Sequence, residues 1–226
     1  MKDRKVIITG ASGGLGQAVV KHWLDLGAQV IAVASTEQSL DKLPDQARLN
    51  KIAANLTEPS EIAQMLEKAN KPDTLIHLVG GFAMGPIDGS EAQSNYQKMV
   101  AANLTSTYLC FSAMTPILKA QGRGWMLATG SKAATTHPGG LSAYVATKAA
   151  VHALVKSLGE ELKSSGIHVN AIVPSTIDTP ANRAAMGDKN ANKWVSPQEI
   201  AQATEFLCSE ASSATYGTLL ELYAQS

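Results

Sequence analysis

"KVIITGASGGLG", residues 5–16, is the stretch from which the fold is read. Lys5 to Thr9 is a short apolar, β-branched run and reads as a buried strand. Gly10, Gly14 and Gly16 follow at once with the spacing G-x-x-x-G-x-G, and an amphipathic run from Gly14 to Leu26 begins inside them. Glycines there permit the tight turn, let backbone approach a phosphate and let the helix pack on the strand. The helix N-terminus then offers free N–H groups and a positive dipole end to a pyrophosphate. Any tight strand-to-helix turn can use such glycines. Its place directly after the first strand makes dinucleotide binding the better reading.

Working outward, short β-branched runs alternate with helical patterns along the chain. Strands are expected at 5–9, 28–35, 49–56, 73–80, 124–130, 167–174 and 218–224. Helices are expected at 60–69 with Ser60 as N-cap, over one long stretch at 91–120, at 142–165 and at about 197–209. Continuous apolar strands alternating with helices imply a mostly parallel sheet of about seven strands covered on both faces, joined by right-handed crossovers. Residues 1–226 show no repeat or linker and read as one α/β domain of the doubly wound, Rossmann type. Two loop-rich segments, 80–90 and 174–196, follow strands at the carboxyl edge, where ligands sit in such sheets. Pro174, Pro180, Gly187 and the run "GDKNANK" suggest that 182–193 is mobile and orders over bound ligand, with Met186 and Trp194 lining a modest, partly apolar pocket.

Composition removes other classes. Nineteen Lys plus Arg balance nineteen Asp plus Glu, so no basic stripe argues for nucleic acid or an anionic membrane. No run of about 18 apolar residues suits a spanning helix. The start "MKDRKVIITG" has too short an apolar run for a signal-peptide core. Cys110 and Cys208 show no metal-ligand spacing and read as buried free thiols of a reducing compartment, so the expected location is cytoplasmic, with no metal.

"GLSAYVATKAA", residues 140–150, sets Tyr144 four places before Lys148, one helical turn apart on one face. Such a pair is either a solvated surface pair or an acid/base site. A free phenol near pKa 10 transfers protons poorly at neutral pH, and a cation one turn away lowers that value. Two further polar residues have equally plain alternatives. Ser131 could cap the following segment, and Asn103 could be a satisfied helix-interior polar group.

With these motifs placed in order, the sequence resembles the short-chain dehydrogenase/reductase family along essentially its whole length. "MVAANLTSTYLC" (99–110) puts Asn103 at the family's active-site asparagine, "LATGSKAA" (127–134) puts Ser131 at the end of the fifth strand, and thirteen residues separate Ser131 from Tyr144. The resemblance implies Asn103, Ser131, Tyr144 and Lys148 as catalytic residues and hydride transfer between a nicotinamide and a small carbonyl or alcohol. Lys148 also holds the nicotinamide ribose in that family, and Asn103 supports a proton relay through it. The implied dinucleotide site comprises Gly10, Ser12, Gly14, Leu15 and Gly16, then Ala34, Ser35 and Thr36, then Asn55 and Leu56, and finally Gly80, Pro174, Ile177 and Thr179. Assembly as a homodimer or homotetramer through 91–120 and 142–165 is likewise implied. There are departures. His77-Leu78-Val79-Gly80 stands where the family has Asn-Asn-Ala-Gly, Ser175 follows Pro174 in place of glycine, and Asn55 replaces an aspartate. His77 reads as a packed or hydrogen-bonded strand residue.

"VGGF" with "TIDTPANRAAM" further resembles the quinoid dihydropteridine reductases, although those typically lack the serine present here as Ser131. The alternatives to a general carbonyl reductase are therefore a dihydropteridine-type enzyme, an acyl-carrier-linked ketoreductase, or a non-catalytic dinucleotide sensor on the same fold. No acid occupies the end of the second strand at Ala34, Ser35 and Thr36, which favours NADP over NAD, although Glu37 stands close by.

Overall fold

The computed structural model describes residues 1–226 and contains a seven-stranded, all-parallel sheet. Its strands are β1 (Lys5–Thr9), β2 (Gln29–Ala34), β3 (Leu49–Ala53), β4 (Thr74–His77), β5 (Gly124–Thr129), β6 (Ile167–Pro174) and β7 (Leu219–Leu222), in the order β3-β2-β1-β4-β5-β6-β7. The chain winds outward from β1 to β3, returns to the other side of β1 at β4 and continues outward to β7. The strand order thus reverses between β1 and β4, and in such sheets that crevice is where a ligand fits. The register pairs Thr9 with His77, so both strands end side by side there.

The helices are α1 (Gly14–Asp25), α2 (Glu37–Leu40), α3 (Pro59–Ala69), α4 (Ala92–Met99), α5 (Ser106–Gln121), α6 (Ala133–Thr136), α7 (Ser142–Leu162), α8 (Pro180–Met186) and α9 (Pro197–Leu207). Both sheet faces are covered, as a parallel sheet requires. Ile7 of β1 faces a core built with Phe111, Met114 and Leu118 of α5 and Val151 and Val155 of α7. Val6 and Ile8 face the opposite core with Val19, Val20 and Trp23 of α1 and Ile200 and Leu207 of α9.

Three expectations need correcting. Pro59, not Ser60, opens α3, because its fixed φ suits the first helical position, and Glu58 supplies the cap position without a side-chain bond. The stretch 91–120 is not one regular helix, since Val100–Thr105 winds as a π-helical turn between α4 and α5. The segment 174–196 carries more regular secondary structure than its composition suggests. Thr179 caps α8 by accepting the Asn182 N–H, and Ala191–Lys193 forms a 3-10 turn. The polar run after Gly187 masked this helix in the sequence.

Candidate active site

The phosphate-loop geometry follows from its glycines. Gly10 has φ +68°, and a β-carbon on it would press against the Leu78–Val79 backbone at 3.2 Å. A β-carbon on Gly16 would lie 2.1 Å from the Gly10 carbonyl oxygen. Gly13 N–H is bonded to Gly10 O and Gln17 N–H to Gly13 O, whereas the amides of Gly14, Leu15 and Gly16 have no protein partner. No acidic residue occupies the first turn of α1. This helix end therefore presents three free donors to an anion. Thr179 and Pro180 lie against Gly14, at 3.2 and 3.4 Å from where its β-carbon would stand, so the segment after β6 reaches the phosphate loop.

At the end of β4 three predicted residues converge. A β-carbon on Gly80 would lie 2.8 Å from Asn103 Oδ1 and 3.0 Å from Lys148 Nζ. Asn103 is 1% exposed and sits in the π-helical turn. Its Oδ1 accepts the Gly81 N–H at 2.9 Å, and its Nδ2 donates to Gly81 O at 3.2 Å and to Thr147 Oγ1 at 3.1 Å. Thr107 Oγ1 donates to the Asn103 carbonyl and Ser106 Oγ to the Ala102 carbonyl, so hydroxyls satisfy oxygens that a π turn leaves poorly bonded.

Lys148 is buried, and Nζ donates to the Thr129 carbonyl at 2.8 Å, leaving two of its three donors without a protein partner. Burial lowers its pKa to about 8. Tyr144 stands one turn before it. Burial raises the phenol's pKa, and the Ser131 hydroxyl opposes that rise. The expectation that Lys148 lowers the Tyr144 pKa is thus not met in this geometry, because the ammonium is turned to Thr129 and desolvation of the phenol outweighs its influence. The Tyr144 ring meets Phe82 edge-on at 5.0 Å between centroids, and Phe82 is otherwise 63% exposed. Ser131 is buried at the end of β5, where its Oγ also accepts the Ala133 N–H at 3.2 Å.

The remaining predicted residues differ in what they offer. Ser35 and Thr36 are exposed at the end of β2, while Ala34 is packed in the core, so only its backbone can meet a ligand. Leu56 is likewise a core side chain. Asn55 Oδ1 accepts from the Thr57 N–H and hydroxyl, leaving its amide NH2 free. Pro174 is buried, and its carbonyl accepts the Lys132 N–H. Ile177 pairs with Val195 as an isolated bridge, and its carbonyl accepts from Thr179 N–H and Asn182 Nδ2. Trp194 is buried and Met186 is exposed, so of the two only Met186 is free to meet a ligand. Ser12 and Leu15 are half-buried in the phosphate loop.

His77 is fully bonded inside the fold. Ser106 Oγ gives its proton to Ala102 O and so accepts from His77 Nε2, while Nδ1 accepts from Thr9 Oγ1. Desolvation lowers the His77 pKa to about 3, and the ring stays neutral. This chain of bonds joins β1, β4 and α5 where the family's asparagines would stand. Residue-by-residue reading missed Thr147 and His152, and it quoted Gly81 and Phe82 in "VGGF" without giving either a role. The only available signal for Thr147 and His152 was their place on the Tyr144–Lys148 face of α7.

A family model described as short chain dehydrogenase matches residues 4–190. The chain belongs to the short-chain dehydrogenase family. An uncharacterized oxidoreductase of Staphylococcus epidermidis is 30% identical over 228 residues, with 94% of each chain covered. The dihydropteridine reductase of Dictyostelium discoideum is 29% identical, covering 99% of this chain and 96% of its own. A crystal structure of a short-chain dehydrogenase/reductase-family oxidoreductase from Burkholderia thailandensis matches with a TM-score of 0.90 at 28% identity, covering 99% and 92% of the two chains. The short-chain dehydrogenase is accordingly an NAD(P)-dependent oxidoreductase acting on a small molecule.

Gly80→Ala tests the convergence at β4. Its methyl group would displace both Asn103 Oδ1 and Lys148 Nζ, so turnover is expected to fall by roughly 100-fold while the protein stays folded. Wild-type turnover in a folded Gly80→Ala protein would contradict this geometry.

Proposed function

We propose that this enzyme reduces an uncharged, largely apolar carbonyl compound with NADPH, using Tyr144 as general acid, Lys148 and Asn103 as its supports and Ser131 as the group that orients the substrate oxygen. The observation that carries this reading is the meeting of Gly80, Asn103 and Lys148 one helical turn from Tyr144 at the carboxyl edge of the sheet. The free amides at the α1 N-terminus fit a pyrophosphate, and Gly80 leaves room beside Lys148 for a ribose. The nicotinamide supplies the hydride when bound. Tyr144 gives the proton, and its raised pKa keeps the phenol protonated at neutral pH, the state a reduction needs. The Ser131 hydroxyl stabilises the phenolate left behind, and the ammonium of Lys148 stands beside the space for the ribose.

In the same assignment Gly10, Ser12, Gly14, Leu15 and Gly16 hold the pyrophosphate, and Ala34, Ser35 and Thr36 border the adenosine ribose. Asn55 and Leu56 lie by the adenine, and Pro174, Ile177 and Thr179 by the nicotinamide. The whole chain acts as a single domain. A cleft of about 340 Å³ opens beside Ala143, and Met84, Pro86, Ile87, Tyr96 and Leu141 line it without any charged side chain. That lining suits an uncharged substrate and sets free carboxylates and phosphates at a disadvantage. A pteridine-type substrate is the second reading, supported by the likeness to the Dictyostelium enzyme and by the open face of Phe82 next to Tyr144. Exposed Tyr108 on α5 supports association through the α4–α5 and α7 faces as a dimer or tetramer. The two unpaired thiols, Cys110 and Cys208, suit a cytoplasmic setting.

Tyr144→Phe is expected to reduce turnover by roughly 100-fold or more while NADPH affinity, read by titration, stays near wild type. Unchanged turnover would remove Tyr144 from the reaction, and tight NADPH binding without turnover of any carbonyl by the wild type would favour the sensor reading. Preference for NADP rests on the exposed hydroxyls of Ser35 and Thr36 and the lack of an acid at the end of β2. Ser35→Asp is expected to shift preference toward NADH by about tenfold or more, through like-charge repulsion of the 2′-phosphate. A wild type that already prefers NADH would contradict the NADP assignment.

A further inference from the structure

The end of β5 carries Ser131 between two amides that are already used. Gly130 N–H donates to Ile172 O at 2.8 Å and Lys132 N–H to Pro174 O at 2.9 Å, both on β6. Successive N–H groups of an extended chain point to opposite sides, so the Ser131 amide turns away from β6. On that side β4 has already ended at His77 and supplies no carbonyl. A buried amide without an acceptor bears its desolvation penalty uncompensated. Here the acceptor is a side chain of α7, as Ser131 N–H donates to His152 Nε2 at 3.3 Å.

His152 lies eight residues after Tyr144 and four after Lys148, on the helical face that both occupy. Its approach is built into the neighbouring sequence. A β-carbon on residue 130 would stand 2.2 Å from His152 Nε2 and 3.1 Å from Val173 Cγ2, so only glycine there lets the imidazole reach the Ser131 amide. Resting on the acid/base assignment above, we propose that His152 is a positioning residue of the active site, fixing the Ser131 backbone, and with it the hydroxyl, relative to Tyr144. One helix then carries the proton donor, its cation and the anchor of the serine on the facing strand.

The arrangement requires a neutral imidazole with its proton on Nδ1, because Nε2 must accept. The ionisable groups around it are Lys148 and Lys156 on its own helix and Glu221 on β7. Burial first, and then the two lysines, hold the His152 pKa below its usual value, against the opposing pull of Glu221. The sign is therefore fixed. The acceptor is present at neutral pH and is lost as pH falls through the lowered pKa, so kcat declines on the acid side.

The test measures kcat, KM and pH profile with NADPH and the best substrate of an uncharged-ketone panel, together with NADPH affinity by titration. His152→Leu is expected to lower kcat about tenfold, with KM and NADPH affinity within about twofold of wild type. His152→Gln, whose amide oxygen can accept the same N–H, is expected to recover most of kcat and to lose the acid-side decline. In a Ser131→Ala background, His152→Leu is expected to add nothing further to the loss in kcat. Wild-type kcat in His152→Leu, losses that simply multiply with Ser131→Ala, or a Gln variant that keeps the wild-type acid-side decline would each overturn the proposal. The last of these decides the matter alone if the Leu variant does not fold. Tyr144→Phe run in parallel separates the two levels. An active Tyr144→Phe enzyme removes the acid/base reading itself, whereas an inactive one beside an unaffected His152→Leu enzyme removes only the role of His152.

Discussion

The buried amide of Asn103 joins the pieces of the site that the sequence keeps far apart. It binds both polar groups of Gly81 in the loop after β4 and, through Thr147, the helix bearing Tyr144 and Lys148. The bond to Thr147 is buried and the two to Gly81 are partly so, and a partner lost there leaves a polar group to bear its desolvation penalty. The π-helical turn at Val100–Thr105 is what aims this side chain inward, and hydroxyls of Ser106 and Thr107 return to its loosened carbonyls. Phe82 is the next residue along from the fixed Gly81, and so the aromatic wall beside Tyr144 is placed by the same contact.

Glycine is the corresponding constraint on the backbone. Gly16 lets α1 pack against its own entry turn, Gly80 leaves space for Asn103 and Lys148, and Gly130 admits His152 to Ser131. In each case the obstacle is a polar atom of the site or the backbone of the phosphate loop, at a distance that a methyl group cannot share. The His77 chain replaces a pair of asparagine amides by an imidazole and two hydroxyls, and it satisfies every donor and acceptor with a single tautomer. A departure in sequence is thereby absorbed without leaving a buried polar group unbonded.

The doubly wound fold was legible because β1 and its glycine loop fix the start of the sheet and the central strands β2, β4, β5 and β6 are nearly continuous buried runs, whereas the edge strands β3 and β7 are only partly buried. The candidate set Asn103, Ser131, Tyr144 and Lys148 is read from spacing taken together with family resemblance. The π turn was not, since "VAANLT" has ordinary helical content and its distortion comes from tertiary bonds to Gly81 and Thr147. Helix α8 was hidden by Pro180 and the polar residues after Gly187, although Thr179 and Pro180 are good helix-opening residues. The direction of the Tyr144 pKa shift was not legible for a similar reason. Sequence spacing gives the distance to Lys148 along the helix but says nothing of where the ammonium points, and it points to Thr129.

The central claim is that Tyr144 donates a proton to a carbonyl in a site that needs the buried Lys148 in its ammonium form. The most direct measurement is the pH dependence of kcat/KM for ketone reduction with NADPH present. Burial places the Lys148 pKa at about 8, below its usual value, and Tyr144 above its own. The account therefore predicts a decline in kcat/KM as pH rises through about 8, well before the phenol itself ionises. A reduction rate that stays level until the ordinary range of a tyrosine, near pKa 10, would contradict it.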